Sequence, residues 1–235
     1  MIFSSGIFLL KNTLEIKHTK ENLMSKKTDK IQTIKKIKEA AILYKEFLVG
    51  RTFMYVFEGR YIEVMFKADS FRHLTGVGTN LSAQRFYSNA INKRLTTDQI
   101  FFNSSHPFEL AQKKLKHICD IARMATSDCF VLESIETNTC TYKFGTTDLN
   151  FTLCMNPEHD IYGNPVGNIL IVNSLRDGNC INKSSQVYDV THIFAKPNNV
   201  KKYNILIYED SDVTIKDVPK NVKNLLSGSL KKQNY

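Results

Sequence analysis

The sequence lacks the motifs by which several large classes of protein are identified. No window reaches the roughly 18 apolar residues that a membrane-spanning helix needs, so we expect no membrane partner. A Walker-type phosphate loop, a dinucleotide-binding fingerprint and a Gly-x-Ser-x-Gly nucleophile elbow are all absent. No internal repeat is present. The common nucleotide-dependent enzymes, serine hydrolases and repeat proteins are therefore poor matches.

Cysteine occurs five times at irregular spacing, and no two cysteines form a Cys-x-x-Cys pair. An odd number without such pairs argues against a disulfide framework and against a zinc site. We interpret the cysteines as reduced core thiols of a cytoplasmic protein. The six histidines also lack the spacing of metal ligands. The sequence therefore predicts neither a metal site nor another cofactor.

Positive charge is concentrated at the two ends of the chain, whose formal net charge is +9. Residues 1–50 contain ten Lys against five acidic residues, which gives +5, and residues 220–235 contain four Lys and no acidic residue, which gives +4. The segment between them has 18 basic and 18 acidic side chains and is neutral. Such ends are either simply solvated or add salt-sensitive affinity for a phosphate backbone.

The periodicity of the apolar residues predicts an α+β fold. Helical spacing predicts three amphipathic helices, over residues 29–49, 82–93 and 105–123. Alternating patterns predict a hairpin with strands 52–57 and 61–66, and then strands 130–135, 139–145, 150–155, 169–176, 187–196 and 203–209. We therefore expect the helices and the hairpin to pack on an antiparallel sheet.

We expect one domain over residues 28–210. Residues 1–27 are interpreted as an N-terminal extension that is disordered or outside the fold, because Met24 also offers a plausible start. Residues 211–235 are interpreted as a basic polar tail.

Three short segments form a pattern when they are taken together. The first, residues 71–77, brings a histidine, a hydroxyl and a glycine turn together directly after the hairpin. The second is Thr-Tyr-Lys-Phe-Gly at 141–145 followed by residues 149–153, and the third is Ser-Leu-Arg at 174–176. In these motifs the chain resembles the phage-type Barnase–EndoU–colicin–RelE-like nucleases, in particular the fourth family of that group, over residues 43–208. The resemblance implies a small nuclease fold with helices before a curved antiparallel sheet.

The resemblance also implies an activity, namely metal-independent endonucleolytic cleavage of RNA through a 2′,3′-cyclic phosphate. It implies a phage or mobile-element origin and toxin-like action in the cytoplasm of a bacterial host. RNA would be the partner, and a cognate inhibitor or immunity protein is a further expected partner. The cleavage needs a base for the 2′-hydroxyl proton, an acid for the leaving 5′-oxygen, and cations for the charge on the phosphate.

Four side chains are the candidate catalytic groups: His73, Lys143, Ser174 and Arg176. Imidazole suits proton transfer because its reference pKa is about 6.5, and a guanidinium suits phosphate because its planar fork binds two oxygens. Ser174 lies two residues before Arg176 on a predicted strand, so the two share a face. Lys143 and Tyr142 lie on opposite faces of their strand, and either face could be the core.

Five further residues are candidates for substrate binding: Arg72, Thr75, Tyr142, His192 and Lys196. His192 alternates with apolar residues, which is also typical of a histidine in a protein core, and Lys196 closes the same face of the strand. Only one histidine, His73, is well placed for catalysis. The sequence therefore does not identify the general acid.

Two other functions remain open on the sequence alone. A catalytically inactive RNA-binding module would use the basic ends of the chain, and a structural phage accessory protein would need no catalytic groups. Growth arrest of the host on induction would distinguish an active nuclease from both.

Overall fold

The computed structural model describes residues 27–138 and 140–233, and all elements below refer to these residues. The helices are α1 (27–47), α2 (Phe71–Thr75), α3 (Ala83–Ile91), α4 (Phe108–His117), α5 (Ile121–Met124) and α6 (Lys220–Lys223). The first six strands are β1 (Arg51–Phe57), β2 (Arg60–Met65), β3 (Gly78–Thr79), β4 (Ile100–Phe101), β5 (Phe130–Glu136) and β6 (Thr141–Thr147). The last six are β7 (Phe151–His159), β8 (Pro165–Asp177), β9 (Gln186–Asp189), β10 (His192–Pro197), β11 (Tyr203–Glu209) and β12 (Leu226–Lys232).

Ten of the described strands form one sheet, in the order β12-β11-β10-β1-β2-β8-β7-β6-β5-β9, while β3 and β4 pair separately. The predicted α+β class is confirmed. The sheet is mixed rather than wholly antiparallel, because β2 pairs with β8 and β11 pairs with β12 in parallel. A parallel pair needs a long crossover connection, and the segment between β2 and β8 contains helices α2 to α5 as well as the β5–β7 meander.

The sheet is strongly curved, as the resemblance implies. Three strands separate β2 from β5, which would place them roughly 19 Å apart in a flat sheet. Nevertheless Arg60 of β2 forms an ion pair with Glu133 of β5 at 3.4 Å. Phe57 of β1 also stacks on Tyr188 of β9, with ring centroids 5.1 Å apart. The curvature of the sheet therefore brings its β9 edge close to the β1–β2 hairpin.

The main core lies between the helices and one face of the sheet. Helix α1 buries Ile34, Ile37 and Tyr44 at helical spacing and leaves its lysines largely toward solvent, and Leu48 in the turn that follows is buried beside them. Ile31 follows the same spacing but is more than half exposed, so the buried stripe is shorter than the sequence pattern.

The C-terminal segment belongs to the fold, which corrects the expected polar tail over residues 211–235. Strand β12 pairs with β11, and Val222 and Leu226 are buried in a second core cluster with Met54, Phe194 and Tyr203. Val218 is buried in the same cluster, and the lysines beside these few apolar side chains conceal the pattern in the sequence. The N-terminal extension predicted for residues 1–27 lies, apart from its last residue, outside the described part of the chain.

Two predicted elements are divided in the structure. The strand predicted over 187–196 is two strands, because the amide of Val190 donates to Cys129 O whereas that of Thr191 donates to Val56 O, so the chain leaves β5 and joins β1. The helix predicted over 105–123 is α4 followed by α5, with a turn in which the Asp120 amide donates to His117 O. The predicted helix over 82–93 is confirmed in α3, where Ser82 accepts a hydrogen bond from the Arg85 amide as N-cap.

Candidate active site

His73 lies in α2, a single helical turn that follows the β1–β2 hairpin. Phe71 and Leu74 are fully buried and anchor this turn in the main core, so the side chain of His73 faces outward. The turn ends at Gly76, whose φ of 74° is the left-handed conformation that favours glycine at a helix C-terminus. The buried hydroxyl of Thr75 donates to Arg72 O at 2.7 Å, so Thr75 braces the turn.

A pocket of about 240 Å³ opens beside His73 and is called here the helix-side pocket. It is lined by Arg72, His73, Gly76, Val77, Thr79, His106, Leu110 and Lys114. Two imidazoles, a guanidinium and an ammonium therefore converge on one cavity. The cavity is somewhat smaller than the roughly 300–1,000 Å³ of most ligand pockets.

His106 enters this pocket from the segment between β4 and α4. Its backbone amide donates to Asn103 Oδ1 at 2.9 Å, which fixes the turn before the helix. Its ring packs edge-on against Phe101, with centroids 6.1 Å apart. A methyl group at Gly78 would collide with Phe101 and come within 3.0 Å of His106 Cδ2, so glycine at this position permits the approach of the imidazole.

Lys114 reaches the pocket from the middle of α4. Its ammonium donates to His73 O at 2.9 Å, which joins α4 to α2. Burial, and secondarily the Arg176 guanidinium, lower the pKa of Lys114 from 10.5 to about 8. Gly76 leaves room for this side chain, because a Cβ there would lie 2.9 Å from Lys114 Cδ.

The electrostatics of the pocket favour a neutral His73 at neutral pH. Partial burial of the ring lowers the pKa of His73 below 6.5, and the charges of Arg72 and Lys114 lower it further. One Arg72 Nη lies 3.5 Å from His73 Nε2. His73 is thus an imidazole able to accept a proton, surrounded by cations able to attract an anion.

A second group of side chains, called here the Arg176 cluster, consists of Cys140, Tyr142, Ser174 and Arg176. The Arg176 guanidinium donates to the Tyr142 hydroxyl at 3.2 Å, lies 5.7 Å from the centre of the Tyr142 ring, and contacts Cys140 Sγ at 3.9 Å. Ser174, two residues before Arg176 on β8, is buried and lies beside the Tyr142 hydroxyl. Ser174 and Arg176 therefore share a face of β8, as their spacing predicts.

The two groups lie on either side of β8. Asp177, the next residue along the strand, binds His117 of α4 at 2.7 Å, so strand alternation directs Arg176 away from α4. The positive charge of Arg176 nevertheless contributes to the lowered pKa of Lys114. The Arg176 cluster is therefore close enough to the helix-side pocket to act on it electrostatically.

Lys143 lies in neither group. Its exposed side chain lines a separate cleft of about 660 Å³, together with Arg60 and Glu133 among others. The Lys143 amide donates to Asn156 Oδ1 at 2.8 Å, which fixes the backbone at that point. The preceding residue, Tyr142, belongs to the Arg176 cluster instead. Side chains alternate between the two faces of a strand, so these two adjacent candidates lie at different sites.

His192 and Lys196 lie on β10, three strands from β8 in the sheet order. The His192 ring is buried and stacks on Phe194, with centroids 5.7 Å apart, and burial lowers the pKa of His192. Lys196 lies over the Tyr203 ring at 4.6 Å and donates to Lys201 O. Neither side chain lines the helix-side pocket.

Two residues of the pocket, His106 and Lys114, were not among the sequence candidates. His106 immediately precedes the proline at the start of α4, a position from which a side chain readily reaches a neighbouring loop. The sequence does not mark Lys114 as a functional residue, because lysine is common on helices and its contact partner His73 lies 41 positions away in the chain.

The described part of the chain contains no group of three or more His, Cys, Asp and Glu side chains arranged to hold a metal ion. Among its helices, none has the length and apolar character needed to cross a membrane. All five cysteines are free thiols, of which Cys129, Cys154 and Cys180 are buried whereas Cys140 is exposed.

Comparison with known proteins gives one family. No curated protein and no solved structure matched the chain. A family model described as phage-Barnase-EndoU-ColicinE5/D-RelE like nuclease4 matches residues 36–212, a range that contains both the helix-side pocket and the Arg176 cluster. The chain therefore belongs to this family of nucleases.

Proposed function

We propose that the protein is a metal-independent endoribonuclease whose helix-side pocket cleaves RNA through a 2′,3′-cyclic phosphate. One observation carries the proposal: His73 and His106 line the same small cavity with Arg72 and Lys114. Two imidazoles provide a base and an acid, and two cations provide stabilisation for the charge on a phosphate. The family supports nuclease chemistry in general, and this set of groups favours RNA, whose 2′-hydroxyl is the internal nucleophile.

The roles within the pocket follow from its electrostatics. His73 takes the proton of the 2′-hydroxyl, because its lowered pKa keeps the ring neutral at neutral pH. The 2′-oxygen bonds to phosphorus, the bond from phosphorus to the 5′-oxygen breaks, and His106 gives a proton to that leaving oxygen. The products are a 2′,3′-cyclic phosphate and a 5′-hydroxyl. Arg72 and Lys114 stabilise the negative charge that develops on the non-bridging oxygens.

The Arg176 cluster has a supporting role in this proposal. Its guanidinium is held by Tyr142 on the other side of β8 and acts on the pocket through its charge. Ser174 lies beside the Tyr142 hydroxyl, on the same face of β8 as Arg176, and belongs to the same arrangement. Lys143 lines the separate cleft, and we assign it no part in bond cleavage.

The test is cleavage of RNA by the purified full-length protein in excess EDTA, with the product ends identified by mass spectrometry. We expect fragments with 2′,3′-cyclic phosphate and 5′-hydroxyl ends, and growth arrest when the protein is induced in a bacterial host. Cleavage that requires added magnesium, or products with 5′-phosphates, would contradict the mechanism. RNA binding without cleavage would favour the inactive RNA-binding module, and neither binding nor cleavage would favour a structural accessory protein.

A further inference from the structure

We infer that His117 and Asp177 are positioning residues, which tether α4 to the end of β8 and thereby hold Lys114 in the helix-side pocket. This inference rests on the proposed function, since it concerns how a group of that pocket is held. Neither residue lines the pocket, and neither follows from the family match.

The first observation is the contact itself. His117 Nε2 lies 2.7 Å from Asp177 Oδ1, which is the short distance typical of a hydrogen bond to a carboxylate. The His117 residue is only 6% exposed, and its ring stacks on Phe151 at 5.0 Å between centroids and 23° between planes. Phe151 is the partner of Asp177 across β7 and β8. The imidazole is therefore fixed by a ring on one side and by a carboxylate at its edge.

The second observation is the placement of the tether between two charged groups. His117 follows Lys114 by three positions on α4, so both project from nearly the same side of the helix. Asp177 directly follows Arg176 on β8. The hydrogen bond therefore joins the helix that carries Lys114 to the strand that carries Arg176, one residue from the guanidinium.

The third observation is that Lys114 depends on this geometry. Its ammonium is held between α2 and α4 by a single hydrogen bond that the structure shows, to His73 O. The groups that face it are Arg72 and His73 on α2, His106 before α4, and Arg176 with Cys154 on the sheet side. If the last turn of α4 moved away from β8, water would reach the ammonium and its pKa would return toward its ordinary value.

The nearest alternative anchor is weak. Lys116 Nζ lies 4.0 Å from the same Asp177 oxygen, but its side chain is 71% exposed. An exposed ion pair of this length contributes little to the position of a helix. Lys116 is therefore a matched control for a contact with the same carboxylate.

The test uses His117→Phe, which keeps an aromatic ring on Phe151 but removes the hydrogen bond. The titration of Lys114 is followed by NMR in full-length protein labelled at lysine Cε, with its signal assigned through Lys114→Arg. We expect the pKa of Lys114 to rise from about 8 toward its usual 10.5 in His117→Phe. Cleavage at pH 7 should fall roughly tenfold, as is common when an outer partner of a functional group is removed.

Two further variants sharpen the result. Asp177→Asn retains an acceptor for the imidazole and should leave the titration of Lys114 nearly unchanged, as should Lys116→Ala. If His117→Phe does not fold, Asp177→Ser removes the acceptor at the more exposed partner, and the same rise is expected. A folded variant without the tether but with an unchanged Lys114 titration would overturn the inference, and so would loss of folding in both variants. A shifted titration without RNA cleavage in any protein would instead refute the proposed function and leave the tether intact.

Discussion

The helix-side pocket and the Arg176 cluster contain similar kinds of side chain but hold them differently. In the pocket, His73 is open to solvent and its imidazole lies among groups that lower its pKa. In the cluster, the Arg176 guanidinium already has partners in the Tyr142 hydroxyl and ring. The difference supports the helix-side pocket as the proposed site of substrate binding, because an anion can approach the exposed His73 without displacing a side chain that stacks on it.

The position of each group along the chain gives the same conclusion. The pocket is assembled from α2, the segment after β4, and α4, all of which lie outside the large sheet. The cluster is assembled from β6 and β8 inside it. A strand in the middle of a sheet fixes its side chains well, whereas helix turns and connecting segments allow groups to converge on a bound polymer.

The largest expected effect comes from removing either imidazole of the pocket. His73→Ala and His106→Ala should each lower the rate of RNA cleavage by roughly 10²–10⁴-fold, the range for a positioned acid or base. Both side chains are accessible or half-buried, so thermal unfolding should change little. His159→Ala is the matched control, because His159 is exposed at the far end of β7. Equal loss of activity in the control would show that the pocket has no special role.

The pH dependence of cleavage should show two limits set by the pocket. The rate should fall as pH drops below the lowered pKa of His73, because the base becomes protonated. It should also fall toward alkaline pH, because His106 must carry the proton that it gives to the leaving oxygen, and because Lys114 loses its positive charge as pH rises through about 8. In Lys114→Arg the fall near pH 8 should be smaller than in the unsubstituted protein, since a guanidinium stays charged. An equally steep fall through pH 8 in this variant would show that Lys114 has no part in it.

A smaller effect is expected from the Arg176 cluster. Arg176→Gln removes one positive charge beside Lys114, so the pKa of Lys114 should rise. The rise should be only partial, because burial is the larger cause of the lowered pKa. Cleavage at pH 7 should fall on the order of tenfold, equivalent to about 1.4 kcal/mol. A loss as large as that of His73→Ala would place Arg176 in direct contact with the reacting phosphate.

The smallest effect should come from Tyr142→Phe. This change keeps the ring under the guanidinium but removes the hydroxyl that accepts from Arg176. We expect a loss of about 0.5–1.5 kcal/mol in the free energy of unfolding, typical of one hydrogen bond, with cleavage within a fewfold of the unsubstituted protein. Chemical denaturation and a cleavage assay on the same samples measure both. A large loss of cleavage at unchanged stability would reverse the assignment of the two groups.

Much of the fold follows from local patterns in the sequence. The buried face of α1 and the N-cap at Ser82 are encoded within a few residues, and both are present in the structure. The common face of Ser174 and Arg176 follows from strand alternation alone. These features could be predicted because the physical cause lies close to the residues concerned.

The remainder depends on contacts between distant segments. The partnership of Lys114 with His73 and of His117 with Asp177 arises only when α4 packs on α2 and β8. The division between β9 and β10 depends on which strand accepts the hydrogen bond of each backbone amide. The side-chain pattern does not contain this information. His106, the proposed general acid, was missed for the same reason, because it joins the pocket through the fold and not through a motif.

The central claim is that the helix-side pocket cleaves RNA by attack of its own 2′-hydroxyl. The most direct measurement uses DNA oligonucleotides that each contain one of the four ribonucleotides at a single position, incubated with the protein in excess EDTA. The account predicts cleavage only on the 3′ side of the ribonucleotide, leaving a 2′,3′-cyclic phosphate, and loss of that cleavage in the His73→Ala, His106→Ala double variant. Cleavage of the all-DNA control, or undiminished cleavage by the folded double variant, would contradict it.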